Sequence, residues 1–224
     1  MTHQIQSISQ PRLAGALYLG IAIFGGFSIG YVPQVIIAAG DAAATTANLS
    51  ANLSLHKSGI FADIIVILFE LVLTAILYVL FRDASPTLCI IALISRAGMI
   101  TVMGINLLLW VMPLALINSG LAGHEALIVL FFDIHTLGVF VWQLFFGLHL
   151  LALGWTIIRT DLVPHFLGWG LFVGAFGYLF QGIVELIIVD VPAIDLFAGG
   201  LLVIVTISEL SFGVWLLIWG PKRL

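Results

Sequence analysis

The chain predicts an all-α fold, a polytopic membrane protein of six transmembrane helices in one bundle, and three observations carry that expectation. Of its 224 residues, 62% are hydrophobic and 8% charged, more apolar material than a soluble domain needs to fill a core. Mean hydropathy is +1.25. The apolar residues fall into six runs near the length that a helix rising about 1.5 Å per residue needs to cross about 30 Å of hydrocarbon. Five of the seven Lys and Arg residues fall on one side of these runs, one on the other, and Arg96 inside.

The spans read as Leu13 to about Ile37, Ser58 to Phe81, Leu88 to about Met112, Asp133 to Ile158, Phe166 to Val189, and Leu196 to Trp219. The first run exceeds the core of about 7 to 15 residues of a signal peptide, so it is read as a retained span. After it, Asp41 ahead of an Ala-rich stretch reads as the N-cap of a short outer helix near 41–52. Pro113 to Phe132 is apolar but interrupted by Asn118, Gly120, Gly123, His124 and Glu125. Too long for a turn and too broken for a span, it predicts a half-helix near 119–131 that lies in or dips into the outer leaflet. Residues 1–224 thus form a single six-span membrane domain.

Arg12, Arg82, Arg159, Lys222 and Arg223 lie in short segments on one side and Lys57 alone on the other, which places both termini in the cytoplasm by the positive-inside rule. Trp155, Trp169, Trp215 and Trp219 sit near that same boundary, where an amphipathic ring prefers the headgroup level. The lone Cys89 excludes an internal disulfide and reads as a small buried apolar residue. No nucleotide-binding loop, zinc-finger spacing or basic stripe is present, so membrane lipids are expected as partners and nucleic acid is not.

An ionisable side chain inside a span costs about 2.5 to 3.5 kcal/mol on insertion, so each calls for a partner or a purpose. Glu70, Arg96, His149 and Glu209, from four spans, all lie roughly 12 to 18 Å from the inner boundary at the helical rise. Arg96 is a permanent cation that needs an anion, and Glu70 and Glu209 are the carboxylates near its depth. One is surplus: it carries a proton, shares Arg96, or faces a charged His149. This midplane layer reads either as a proton-linked or anion-recognising site or as a buried pair that fixes helix register.

An outer polar layer holds Asp63, Asp133, His135, Gln181 and Glu185. Gln181 and Glu185 share a helix face, as do Asp63 and Glu70, giving the second span a polar stripe from the outer layer to the midplane. Interhelical hydrogen bonding accounts for such a stripe as readily as a water-filled path does. His135 and His149 face the same way but lie about 21 Å apart along a helix, too far to share an ion. A set of His124, His135, Asp63 and Glu185 is geometrically allowed, yet no metal is assigned and the cofactor is unknown. No Ser sits in a Gly-x-Ser-x-Gly elbow. The glycine runs Gly20, Gly25, Gly26, Gly30 and Gly168, Gly170, Gly174, Gly177 predict close helix approach in the first and fifth spans.

Several strings look familiar together: Arg12-Leu-Ala-Gly-Ala-Leu-Tyr18, the Gly40 to Asn48 loop, Leu77-Tyr-Val-Leu-Phe-Arg82, Phe145-Phe-Gly-Leu-His-Leu150, Pro164-His-Phe-Leu-Gly168 and Trp215-Leu-Leu-Ile-Trp-Gly220. In this order, over nearly the whole chain, they resemble the bacterial membrane family known as domain of unknown function 4386. The resemblance implies a six-span protein of the bacterial inner membrane with no settled activity, and it names no catalytic residue. Asp41, Arg82, Arg96, Asn106, His149 and Glu209 occupy positions where such sequences look similar. The chain departs from the pattern at Asp83-Ala-Ser and at His165, both of which argue against a strongly cationic inner surface.

Three functions stand open. The leading one binds or translocates a small solute, proton or lipid through the midplane cluster. The second is an intramembrane metal-dependent or acid-base enzyme acting on a lipid or isoprenoid from the outer layer. The third is a structural, regulatory or immunity-type membrane protein. The chain shows no inverted repeat, and a homodimer would supply the missing half of a transporter.

Overall fold

The structure, a computed structural model, describes residues 9–120, 123–187 and 192–220. The regular structure described there is helical: α1 (Gln10–Gly25), a π-helical segment (Gly26–Tyr31), α2 (Val32–Ile36), α3 (Ala42–Ala51), α4 (Leu53–Phe81), α5 (Pro86–Ser119), α6 (Glu125–Ile158), α7 (His165–Ile187) and α8 (Pro192–Ile218). Six stretches are long and apolar enough to cross a membrane, Gln10–Ile36 counting as the first. Val189, Lys222 and Arg223 lie outside the described residues.

The first span is not a uniform α-helix, and Pro33 supplies the reason. Lacking an N–H, Pro33 cannot bond the carbonyl one turn back, and the preceding turn widens so that the Val32 N–H donates to the Phe27 carbonyl five residues behind. Asp41 then caps α3, its Oδ1 accepting from the Ala44 N–H at 2.8 Å. The short helix folds back on the end of the first span. Thr45 Oγ1 accepts from the Ala38 N–H at 3.0 Å and donates to the Ala38 carbonyl at 3.1 Å.

Among the described residues no separate half-helix forms at 119–131, contrary to the sequence expectation. α5 continues through Pro113 to Ser119, and α6 already begins at Glu125. Buried Pro113 loosens the helix, and in that turn His56 Nε2–H of α4 donates to the Trp110 carbonyl at 2.9 Å, so a neighbouring span steadies the backbone. α5 ends on Gly120 at φ 67°, and Gly123, just ahead of α6, has φ 72°, a left-handed conformation that only glycine adopts readily. The interruptions in 113–132 therefore include the end of one 34-residue helix and the start of another.

Each span packs on its neighbours in chain order, and the first also packs on α8, which closes a ring of six. The start of the first span and the end of α8 meet on one face, where Gly220 approaches Pro11. Exposed Arg12, Arg82 and Arg159 lie on this terminal side and Lys57 on the far side. Two apolar cores fill the ring at different heights. The larger, on the terminal side, includes Leu73, Phe81, Leu150, Ile157, Leu171, Phe212 and Leu216. The smaller, on the far side, is built from Val32, Ile36, Leu49, Trp110, Leu116, Ile128 and Phe132. Between them lies a polar layer.

Candidate functional site

The residues that face the ring axis repeat at helical spacing: Val66 and Glu70 on α4, Arg96, Met99 and Met103 on α5, Trp142 and Phe146 on α6. The opposite faces carry Ile94, Ile105 and Leu108, or Leu137 and Leu148, exposed as lipid-facing residues are. Amphipathicity is thus inverted relative to a soluble bundle, with polar side chains inward.

Arg96 is completely buried and is the centre of the layer. Its Nε donates to Glu70 Oε2 at 2.6 Å, and its Nη1 donates to Tyr18 Oη at 3.3 Å and to His149 Nε2 at 2.8 Å. A guanidinium has only donors, so His149 Nε2 is an acceptor and the ring proton sits on Nδ1, which donates to the Ala92 carbonyl at 2.9 Å. His149 is therefore a neutral ligand of Arg96 and not a second cation. The guanidinium also lies 5.3 Å from the Tyr18 ring centroid and 5.5 Å from that of Phe146, and Phe146 stacks on His149. Among the described residues Nη2 makes no hydrogen bond.

Glu209 is the surplus carboxylate, and it does not share Arg96. No ion pair reaches it among the described residues; Tyr178 Oη donates to its Oε2 at 3.2 Å. Between Glu209 and the Glu70–Arg96 pair opens a cavity of about 430 Å³, whose lining includes residues of all six spans. That volume lies within the range of about 300 to 1,000 Å³ seen for small-molecule sites. Tyr18, Glu70, Arg96, Tyr178 and Glu209 form its polar wall, and Ile29, Val66, Met99, Met103, Trp142 and Phe146 its apolar one. His149 is behind Arg96 and does not line it.

The outer layer does not converge. Asp133 and Glu185 are exposed, and Gln181 Oε1 accepts from Gln143 Nε2 at 3.1 Å between α6 and α7. Asp63 and His135 do face one small cavity with Asn106, whose Nδ2 donates to the His135 carbonyl at 2.9 Å. This cavity shares Ile29, Met103 and Trp142 with the larger one, so the Asp63–Glu70 face of α4 borders both. Among the described residues no three His, Cys, Asp or Glu side chains are placed to hold one metal ion. The set of His124, His135, Asp63 and Glu185 is not gathered at one point: Asp63 and His135 line the small cavity, which Glu185, exposed near the end of α7, does not line.

Sequence reasoning missed Tyr18 and Tyr178, whose hydroxyls respectively accept from Arg96 and donate to Glu209. A phenol inside an apolar span was the available signal, since a buried hydroxyl in lipid needs a partner.

No curated protein and no solved structure shows a match to the chain. The family model described as a domain of unknown function, DUF4386, matches residues 13–220, a stretch that runs from the first turn of α1 to just past the end of α8 and includes every residue of the midplane layer. The chain belongs to the DUF4386 family of proteins.

Proposed function

We propose that the protein binds a small ligand in its midplane cavity, with Glu209 and Arg96 contacting it and Glu209 exchanging a proton with it. One observation carries this reading: a cavity of about 430 Å³ in the middle of the ring has a carboxyl with a single hydrogen-bond partner on one wall and a buried ion pair on the other. A chain selected only for packing fills such a space with side chains, because a gap between helices forfeits their contact energy. The excess of arginine on the terminal face supports cytoplasmic termini in a bacterial inner membrane.

The groups that face Glu209 come from every other wall: Tyr178 on α7, Tyr18 on α1, Arg96 on α5 with His149 of α6 behind it, and Glu70 on α4. Protein purified in mild detergent and examined by native mass spectrometry is expected to carry a discrete organic molecule, held with an affinity that varies with pH. Glu209→Gln removes that pH dependence while the protein still folds. A bare protein, together with a Glu209→Gln variant indistinguishable from wild type at every pH, would leave the buried charges with a fold-fixing role alone.

A further inference from the structure

We infer that the cavity opens sideways into the hydrocarbon layer, between the π-helical segment and α8, and takes up a membrane-dissolved amphiphile with an uncharged, hydrogen-bonding hydroxyl or carbonyl head. This rests on the ligand-binding reading of the same cavity and adds the way in and the ligand class.

The wall is uneven. Tyr18, Glu70, Arg96, Met99 and Phe146 are at most 6% exposed, whereas Ala22, Gly26, Ile29, Thr206 and Leu210 line the same cavity and are exposed. All five exposed residues belong to the first span or to α8. These two helices touch closely near the terminal side, where Gly15 lies against the backbone of Gly213 and Leu217. Farther along, Gly26 and Gly30 on one helix and Gly199 and Gly200 on the other have no atom within 4 Å of where a Cβ would stand. Gly199 and Thr206, seven apart, share a face of α8. The seam between the first span and α8 is closed at one end and parted in the middle.

Depth decides what the opening meets. Gly26 lies ten residues from Ile36 and Thr206 ten residues from Leu196, hence about 15 Å from the far ends of their spans and near the centre of a hydrocarbon layer about 30 Å thick. Water is absent there, and acyl chains are present. The far side is stopped by the Trp110–Phe132 core with α3 folded beside it, and the terminal side by the larger core.

The polar wall selects the head. Glu70 cancels Arg96, so an anionic head would face the second carboxyl, and a cationic one would lie beside a guanidinium. A hydroxyl or carbonyl accepts from Arg96 Nη2, and a hydroxyl also donates to Glu209. The apolar wall of Ile29, Val66, Met99, Met103 and Trp142 receives the first part of the tail. The cavity is bounded on both sides by the two apolar cores, so a long tail extends through the opening into the bilayer.

The test uses the full chain in lipid nanodiscs and three photoactivatable diazirine probes: a long-chain alcohol, a long-chain carboxylate and a short water-soluble alcohol. Labelled residues are read by peptide mass spectrometry. Gly26→Phe plugs the opening, Gly104→Phe places the same side chain at another open, exposed glycine on α5, and Gly26→Ala reports any cost of leaving glycine. The expected result is labelling of Met103 and Trp142 by the long-chain alcohol in wild type, Gly26→Ala and Gly104→Phe, lost in a folded Gly26→Phe, with no labelling by the carboxylate. Equal labelling by the carboxylate overturns the head selection. Cavity labelling by the short alcohol alone, untouched by Gly26→Phe, overturns the lateral opening and leaves the ligand-binding reading intact. Failure of all three probes removes both. A dimer in wild type that Gly26→Phe turns into a monomer, with no lipid probe in the cavity, assigns the opening to a second copy of the chain and overturns the proposal.

Discussion

The two walls of the midplane cavity carry the same kind of side chain and use it differently. On the α4–α5–α6 wall, Glu70 meets Arg96, Arg96 meets His149, and His149 meets the Ala92 carbonyl, so the chain of donors ends on backbone. On the α7–α8 wall, Glu209 has one phenolic partner and borders the parted seam. The first arrangement fixes three spans in register. The second leaves a carboxyl free to meet something that is not protein. Charge at one depth in a membrane is therefore not one feature: what a carboxylate does depends on whether its partners are used up.

The largest expected effect tests the closed wall. Glu70→Ala leaves Arg96 buried without its anion and lowers stability by about 3 to 5 kcal/mol, seen as a large fall in thermal midpoint in detergent, whereas Glu70→Leu with Arg96→Met recovers most of the loss. Recovery that fails in the double variant would show that the pair does more than neutralise itself.

Next in size is the seam that is fully closed. A Cβ at Gly174 would come within 2.5 Å of Val205 Cβ, so Gly174→Ala overpacks the α7–α8 contact and costs about 1 to 3 kcal/mol in the same thermal assay. A smaller stability effect, below about 1 kcal/mol, is expected of Glu209→Gln, which keeps the shape and the bond from Tyr178. Its consequence appears in retention of the hydroxyl-headed probe, which falls while the melting point holds. Smallest of all is Gly26→Ala, which faces open space in a helical conformation and stabilises by at most about 0.5 to 1 kcal/mol. A marked loss there would mean that the seam beside Gly26 closes in the working protein.

Much of the architecture was legible in the chain. Six apolar runs gave six spans, and Asp41 before Ala42 to Ala44 announced the helix cap that forms. The depth of Glu70, Arg96, His149 and Glu209 was readable because rise per residue converts sequence position into height. The segment 113–132 misled because a proline and several polar residues look like a break, while in the fold His56 supports the loosened turn from another helix. The outer layer misled for a related reason. Asp133 sits at the right height, but α6 turns it outward, and Glu185 is exposed near the end of α7.

The amino-acid sequence by itself determined the membrane as solvent, the number of spans and the height of each charge, since all three follow from composition and one-dimensional spacing. Only the tertiary structure decided that Arg96 chooses Glu70 over Glu209, that His149 accepts from Arg96 through Nε2, and that the first span parts from α8 at its middle. Those outcomes depend on how each helix is rotated about its axis and which neighbour it leans on. Rotation and tilt are set by side-chain packing summed over the whole ring, which no single span encodes.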